Sequence, residues 1–276
     1  MKKFFAIIIA VICLMGCNCK RELTIIHVND THSHFEPLRS GADDGRGGII
    51  ERAAFIDSVR AAKGKNNVLL LHAGDFSQGT TYFSELHGDL EIECMNAIGY
   101  DVATLGNHEF DNGLEDLGRR LASLNCPIVV CNYDFSPFEA GKYIKPYVIL
   151  RRGGLKIGII GVICNLKSVV NAETADRVPE FDTVPTVQKW ADYLKNDKKC
   201  DLVIALTHIG FELSHDDPLI DPVLVSETRN IDLVVGGHSH TFMDEPAMIP
   251  NLDGKPIPVV QDGLWGLYTG VMTVKY

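Results

Sequence analysis

Residues 102–111 read VATLGNHEFD, a short β-branched and apolar run closed by a glycine and followed by asparagine, histidine and two carboxylates. The run has the composition of a strand and the glycine marks a turn at its end. The same arrangement recurs along the chain. Residues 23–28 lead into Asn29, Asp30, Thr31 and His32; residues 68–71 lead to Gly74 and Asp75; residues 202–206 lead to Thr207 and His208; residues 233–235 lead to Gly236, Gly237, His238, Ser239 and His240. Polar groups just beyond the carboxyl ends of neighbouring strands meet in space while remaining far apart in sequence. A single Asp-x-His is ordinarily a solvated turn, and a lone strand-end histidine is ordinarily hydrogen-bonded structure. A whole set of such ends in one chain points to a shared site.

Between these runs, residues 48–62, 86–98, 114–124 and 184–194 carry apolar side chains at helical spacing, so strands alternate with helices and the chain reads as α/β. Residues 127–130 read as a further strand. Residues 147–151 and 155–162 flank Arg152, Gly153 and Gly154, a hairpin signal, and residues 268–274 read as a last strand. Sequential parallel and hairpin-linked strands together predict a mixed, double sheet system. No repeat, low-complexity tract or flexible linker divides the 276 residues, which predicts a single domain over residues 23–276.

The formal charge of −10 leaves no basic stripe of the kind that follows a nucleic-acid backbone, so a nucleic-acid polymer is excluded as the expected partner. An anionic substrate would have to be drawn in by local cations. Lys2 and Lys3 followed by the apolar residues 4–14 read as a signal peptide over residues 1–16, too short for a membrane-spanning helix. Its end, Leu14, Met15, Gly16 and Cys17, resembles the bacterial lipoprotein box, with Cys17 as the lipidated residue and residues 17–22 as a short tether. The expectation is an exported protein of the bacterial periplasm or cell envelope, held on a membrane through lipid alone. Cys19, Cys94, Cys126, Cys131, Cys164 and Cys200 form no CxxC pair and read as small buried hydrophobes, with a Cys126–Cys131 disulfide left open.

The polar clusters supply Asp30, His32, Asp75, Asn107, His208, His238 and His240, a nitrogen and oxygen donor set without thiolate that suits Mn, Zn, Co or Fe as divalent ions. These are more donors than one four- to six-coordinate ion needs, which predicts two divalent metal ions about 4 Å apart bridged by a carboxylate. Asp75 is the expected bridge, because Gly74 lets the chain turn sharply beside it. Two such ions against two carboxylates leave about +2 locally, enough to hold a phosphate dianion on an acidic protein.

These residues resemble the N-terminal metallophosphatase domain of the 5′-nucleotidase and UDP-sugar hydrolase family, within the calcineurin-like phosphoesterases. The resemblance rests on Asn29 to His32, on Gly74 and Asp75 with Gln78, Gly79 and Thr80, on Met95, Asn96, Gly99, Tyr100 and Asp101 leading into Gly106 to Asp111, and on Gly237, His238, Ser239 and His240. It implies a four-layer αββα sandwich of two mixed sheets. It also implies one metal on Asp30, His32, Asp75 and His240, and a second on Asp75, Asn107, His208 and His238. Some family members carry glutamine or asparagine in place of His240. His108 and Asp111 match the family's catalytic dyad, with Asn107 and His108 as phosphate contacts. The implied reaction is hydrolysis of nucleotide-like phosphate esters by metal-activated water, and 2′,3′-cyclic nucleotides, UDP-sugars and sulfur-containing analogues remain open as substrates.

Two-domain members carry a C-terminal domain that binds the nucleoside. The chain runs to Tyr276, at the end of the first domain, so a separate C-terminal nucleotidase domain acting in trans is one expectation. A non-catalytic or partner-dependent subunit of a split nucleotidase is the alternative. By their surroundings, His27 and His72 read as core groups, His34, His87 and His215 as exposed, and Glu109 as structural. The aromatic loop of Tyr133, Phe135 and Phe138 reads as packing rather than as a base-stacking surface.

Overall fold

In the computed structural model, residues 22–213 and 218–275 are described. The expected signal peptide, Cys17 and His215 lie outside them. The strands are β1 (Glu22–Val28), β2 (Val68–Ala73), β3 (Val102–Thr104), β4 (Ile128–Val129), β5 (Ile144–Lys145), β6 (Tyr147–Arg152), β7 (Leu155–Ile163), β8 (Leu202–His208), β9 (Leu233–Val235), β10 (Ala247–Pro250), β11 (Pro256–Val260) and β12 (Gly270–Lys275). They form two six-stranded sheets, in the orders β12-β1-β2-β3-β4-β5 and β10-β11-β9-β8-β7-β6. Both are mixed: β12 runs antiparallel to β1, while β6 and β10 run antiparallel to β7 and β11. The remaining neighbours are parallel.

Alternation along each strand builds the layers, because successive side chains leave opposite faces of a sheet. On β1, Leu23 and Ile25 join a core between the sheets, shared with Leu69 and Leu71 of β2, Ile157 and Ile159 of β7, and Ile204 and Leu206 of β8. Ile26 and Val28 face the other way, toward Ile56, Ile92, Met95 and Leu117 of the helices covering the first sheet. Val203 and Ala205 of β8 likewise meet Val187, Ala191 and Leu224 on the far side of the second. Three apolar layers separating four layers of secondary structure are the αββα sandwich expected.

At one place the sheets meet through main chain alone. The Gly161 carbonyl of β7 accepts from the Cys131 amide at 2.9 Å. A Cβ on Gly161 would collide with the Val129 carbonyl, so only glycine permits this approach.

Several sequence expectations need correction. The helix read over residues 86–98 is two helices, Thr81–Leu86 and Asp89–Ile98, broken at His87 and Gly88, which have φ of +51° and +87°. Gly88 abuts the Arg120 side chain, with 2.6 Å between a Cβ there and Arg120 Cδ. The prolines of residues 247–260 hid β10 and β11, which pair with each other through Met248 and Pro258. Cys126 and Cys131 are free thiols packed in different cores, and burial pushes the pKa of each up to about 12. His34 is half-buried rather than exposed, stacked on Trp265 with ring centroids 4.8 Å apart. Tyr133 and Phe135 are buried in the helix-side core, as packing would require. No helix among the described residues is long and apolar enough to cross a membrane.

Candidate metal centre

Each expected donor sits at or just past the carboxyl end of a strand. Asp30 and His32 follow β1, Asp75 follows β2, Asn107 follows β3, His208 is the last residue of β8, and His238 and His240 follow β9. The first sheet thus supplies Asp30, His32, Asp75 and Asn107, and the second supplies the remaining three histidines.

The backbone pays for this convergence with unusual conformations. Asp30, His32, Asp75, His238 and His240 have φ of +48°, +44°, +53°, +81° and +56°, in a region that costs a non-glycine residue about 1–3 kcal/mol. Such strain persists only where surroundings fix it. Here the fixing is by main-chain hydrogen bonds between loops: the Asp30 amide donates to the Gly74 carbonyl and the His32 amide to the Asp75 carbonyl, both at 3.0 Å, and the Trp265 amide donates to the Asp30 carbonyl at 2.6 Å. Gly237 packs so tightly that a Cβ there would stand 2.7 Å from the Ala73 carbonyl and 2.9 Å from Asp30 Oδ2.

The donors fall into groups whose ligand atoms all lie within 4.8 Å of one another: Asp30, His32 and His240; His32, Asp75 and His108; and Asp75, His208 and His238. In the first, His240 Nε2 lies 3.4 Å from Asp30 Oδ1 and 3.1 Å from His32 Nε2. In the last, His208 Nε2 lies 3.1 Å from Asp75 Oδ2, and Asn107 Oδ1 lies 2.9 Å from His238 Nδ1. Asp75 Oδ2 also lies 4.0 Å from His32 Nε2, so this carboxylate faces both clusters, and Asp30 Oδ1 lies 3.8 Å from His208 Nε2.

This donor set fits divalent cations on the structure's own terms. His208 Nδ1 donates to the Ala73 carbonyl at 2.7 Å, which aims the buried Nε2 inward at the carboxylates of the cluster. The charges are compressed as well. Burial alone would raise the Asp75 carboxyl, but His208, with His32 and His108, holds it well below the usual carboxylate range. Burial would lower the His208 pKa, yet Asp75 and Asp30 carry it up to about 10. A buried pair of carboxylates that holds an imidazole in its protonated form is a site where a cation can displace that proton.

Behind the donors stands a frame of which the sequence shows Glu109 as a structural residue but not its partners. Glu109, fully buried, accepts from the amides of Asp75 at 2.9 Å, Ser77 at 3.0 Å and Gly106 at 2.6 Å, gathering two donor loops on one carboxylate. Burial and the Asp75 charge push its pKa up to about 7. Buried Arg120 donates to the Glu109 carbonyl at 2.6 Å and to Ser77 Oγ at 3.0 Å. Asn29 donates to Asp30 Oδ2 at 2.6 Å and accepts from the Asp262 amide at 2.8 Å. His108 Nδ1 and Asp111 Oδ2 are 2.9 Å apart beside the cluster, and Asn112 rather than Asp111 occupies the N-cap of helix Gly113–Leu121.

An αββα sandwich with a carboxylate, amide and imidazole cluster at the carboxyl ends of both sheets defines a metallophosphoesterase. The chain belongs to the calcineurin-like phosphoesterase family, whose model matches residues 23–242. It is 34% identical over 280 residues to the 5′-nucleotidase of Bos taurus, covering 92% of this chain and 46% of that protein. The crystal structure of a 5′-nucleotidase precursor from Thermus thermophilus matches with a TM-score of 0.81 and 31% identity, over 92% of this chain and 51% of that one. The NAD nucleotidase of Haemophilus influenzae matches with a TM-score of 0.79 and 31% identity, over 92% and 47%. The chain spans about half the length of the curated relatives it matches.

Proposed function

We propose that the chain hydrolyses 5′-nucleotides, using two divalent ions held by Asp30, His32, Asp75 and His240 and by Asp75, Asn107, His208 and His238. The observation that carries this is that the clusters adjoin through carboxylates: Asp75 Oδ2 lies within 4.0 Å of imidazoles of both, and Asp30 Oδ1 stands beside it, 3.8 Å from His208 Nε2. Two ions there would supply Lewis-acid charge to phosphoryl oxygens and acidify water. The chain's own groups do the rest. Asn107 and His108 contact the phosphate. Asp111 accepts from His108 Nδ1 at 2.9 Å, fixing the ring so that Nε2 can donate to a phosphoryl oxygen or to the leaving group.

Burial would lower the His108 pKa, but Asp111 and Asp75 raise it above its ordinary value, so the imidazolium form persists to higher pH than in a free ring. That form is lost as pH rises through the raised pKa. Asp111→Asn is therefore expected to move the alkaline decline of the rate to lower pH. His108→Ala should cut kcat by about 10²–10⁴-fold while leaving metal content intact. An unchanged pH profile for the first, or loss of metal in the second, would contradict the dyad.

A separate C-terminal nucleotidase domain in trans, and an exported, lipid-anchored location through Cys17, belong to this reading; the match to about half the length of the relatives supports the first, and the Leu14–Cys17 pattern supports the second. The function itself is tested by stripping metal, restoring Mn²⁺ or Zn²⁺, and assaying p-nitrophenyl phosphate, AMP, a cyclic nucleotide and a UDP-sugar. AMP is expected to turn over fastest. Turnover of none of them with metal bound would favour a binding subunit.

A further inference from the structure

Behind the metal-ligand loop lies a cavity with room for about one water, lined by Thr31, Ser33, Arg52, His72, Glu91 and Tyr100 among others. It is bordered by buried polar atoms that lack partners: Arg52 Nε and Nη1, His72 Nδ1 and Glu91 Oε2. Arg52, His72 and Glu91 are 6%, 1% and 2% exposed, so bulk solvent does not satisfy them. A buried guanidinium with two of its three nitrogens unpartnered is costly, and arginine cannot relieve the cost by deprotonating.

The orphan atoms complement a single water. Arg52 offers N–H donors. Burial with the Arg52 charge pushes the His72 pKa down to about 3, leaving the ring neutral, and in the tautomer whose Nε2 donates to Thr31 Oγ1, 3.3 Å away, Nδ1 is an acceptor. Glu91 Oε2 is a second acceptor, its other oxygen accepting from Ser33 Oγ. A water takes two donated hydrogens and gives two. A halide would satisfy only the donors, and a cation would face the guanidinium.

The cavity's neighbours give it a task. Thr31, held by His72, and Ser33, held by Glu91, flank His32, whose φ of +44° places it among the donors. Arg52 Nη1 also packs against Gly266, where any Cβ would overlap it, next to Trp265, whose amide holds the Asp30 carbonyl. We propose that one ordered water joins Arg52 to His72 and Glu91, and that Arg52 and Glu91 are positioning residues which, through it, hold the Asp30–Ser33 loop in its ligand-bearing conformation. The role in metal binding rests on the function proposed above; the water itself does not.

A high-resolution crystal structure of the metal-free chain is expected to show a water within hydrogen-bond distance of Arg52, His72 and Glu91. A dry cavity, or an ion in it, overturns the proposal. Arg52→Met and Glu91→Gln are expected to weaken Mn²⁺ at the first cluster about 10- to 100-fold in calorimetric titration, sparing the second site. Should Arg52→Met fail to fold, Thr31→Val and Ser33→Ala cut the links to the loop while leaving Arg52, His72 and Glu91 in place, and the same selective weakening is expected. Parent-like affinity at both sites in the folded variants overturns the positioning role. A parent chain that binds no Mn²⁺ sinks the metal reading instead, and the crystallographic water then decides the cavity alone.

Discussion

Asp75→Ala is expected to leave a folded chain with at least about 10³-fold less turnover of p-nitrophenyl phosphate and less bound metal. Both carboxylate oxygens are committed: Oδ2 lies 3.1 Å from His208 Nε2 and 4.0 Å from His32 Nε2, while Oδ1 accepts from the His108 amide at 2.9 Å. Alanine would remove the donor common to both clusters and release the turn that carries His108. It would also take away the charge that most raises His208, weakening the pull on any cation. Metal analysis and single-turnover rates together check this. Activity within about tenfold of the parent, with full metal content, would mean that the two clusters do not share this carboxylate.

Glu109→Ala should destabilise the metal-free chain by more than about 3 kcal/mol, read as a shift of the urea unfolding midpoint, because it strands three buried amides at once. Glu109→Gln should fall between the two, since one of its terminal atoms still accepts while the other now donates toward an N–H. A loss below about 1 kcal/mol in the alanine variant would show that water or a shifted backbone takes over the three amides. The same carboxylate joins the Asp75 turn to the Gly106 turn, so loss of fold and loss of metal should appear together.

How much of this was visible in the sequence depended on whether side-chain chemistry or main-chain geometry carried the feature. The strand-end clusters were legible because their donors are unusual residue types after apolar runs, and β9 (Leu233–Val235) lies where its residues predict. The rest was carried by contacts that sequence does not encode locally. Gly88 breaks a helix because Arg120, distant in sequence, lies against it. Residues 247–260 carry Pro250, Pro256 and Pro258, a weak strand signal, yet they pair as β10 and β11, with β10 at a sheet edge where a missing donor is tolerated. Glu109 acts on amides, which every residue but proline has. Nothing distinguishes Arg52 from other helical arginines until the fold closes over it, and the left-handed backbone at Asp30, His32 and Asp75 follows from loop-to-loop hydrogen bonds rather than from residue preference.

The donors divide between the sheets, Asp30, His32, Asp75 and Asn107 on one and His208, His238 and His240 on the other. Neither half of the sandwich therefore owns a complete coordination sphere. An early folding intermediate with only the first sheet formed would hold fragments of both clusters and grip no cation firmly, so tight uptake must await the docking of the second. Recombining halves from two relatives would need to match this seam before it could preserve any chemistry.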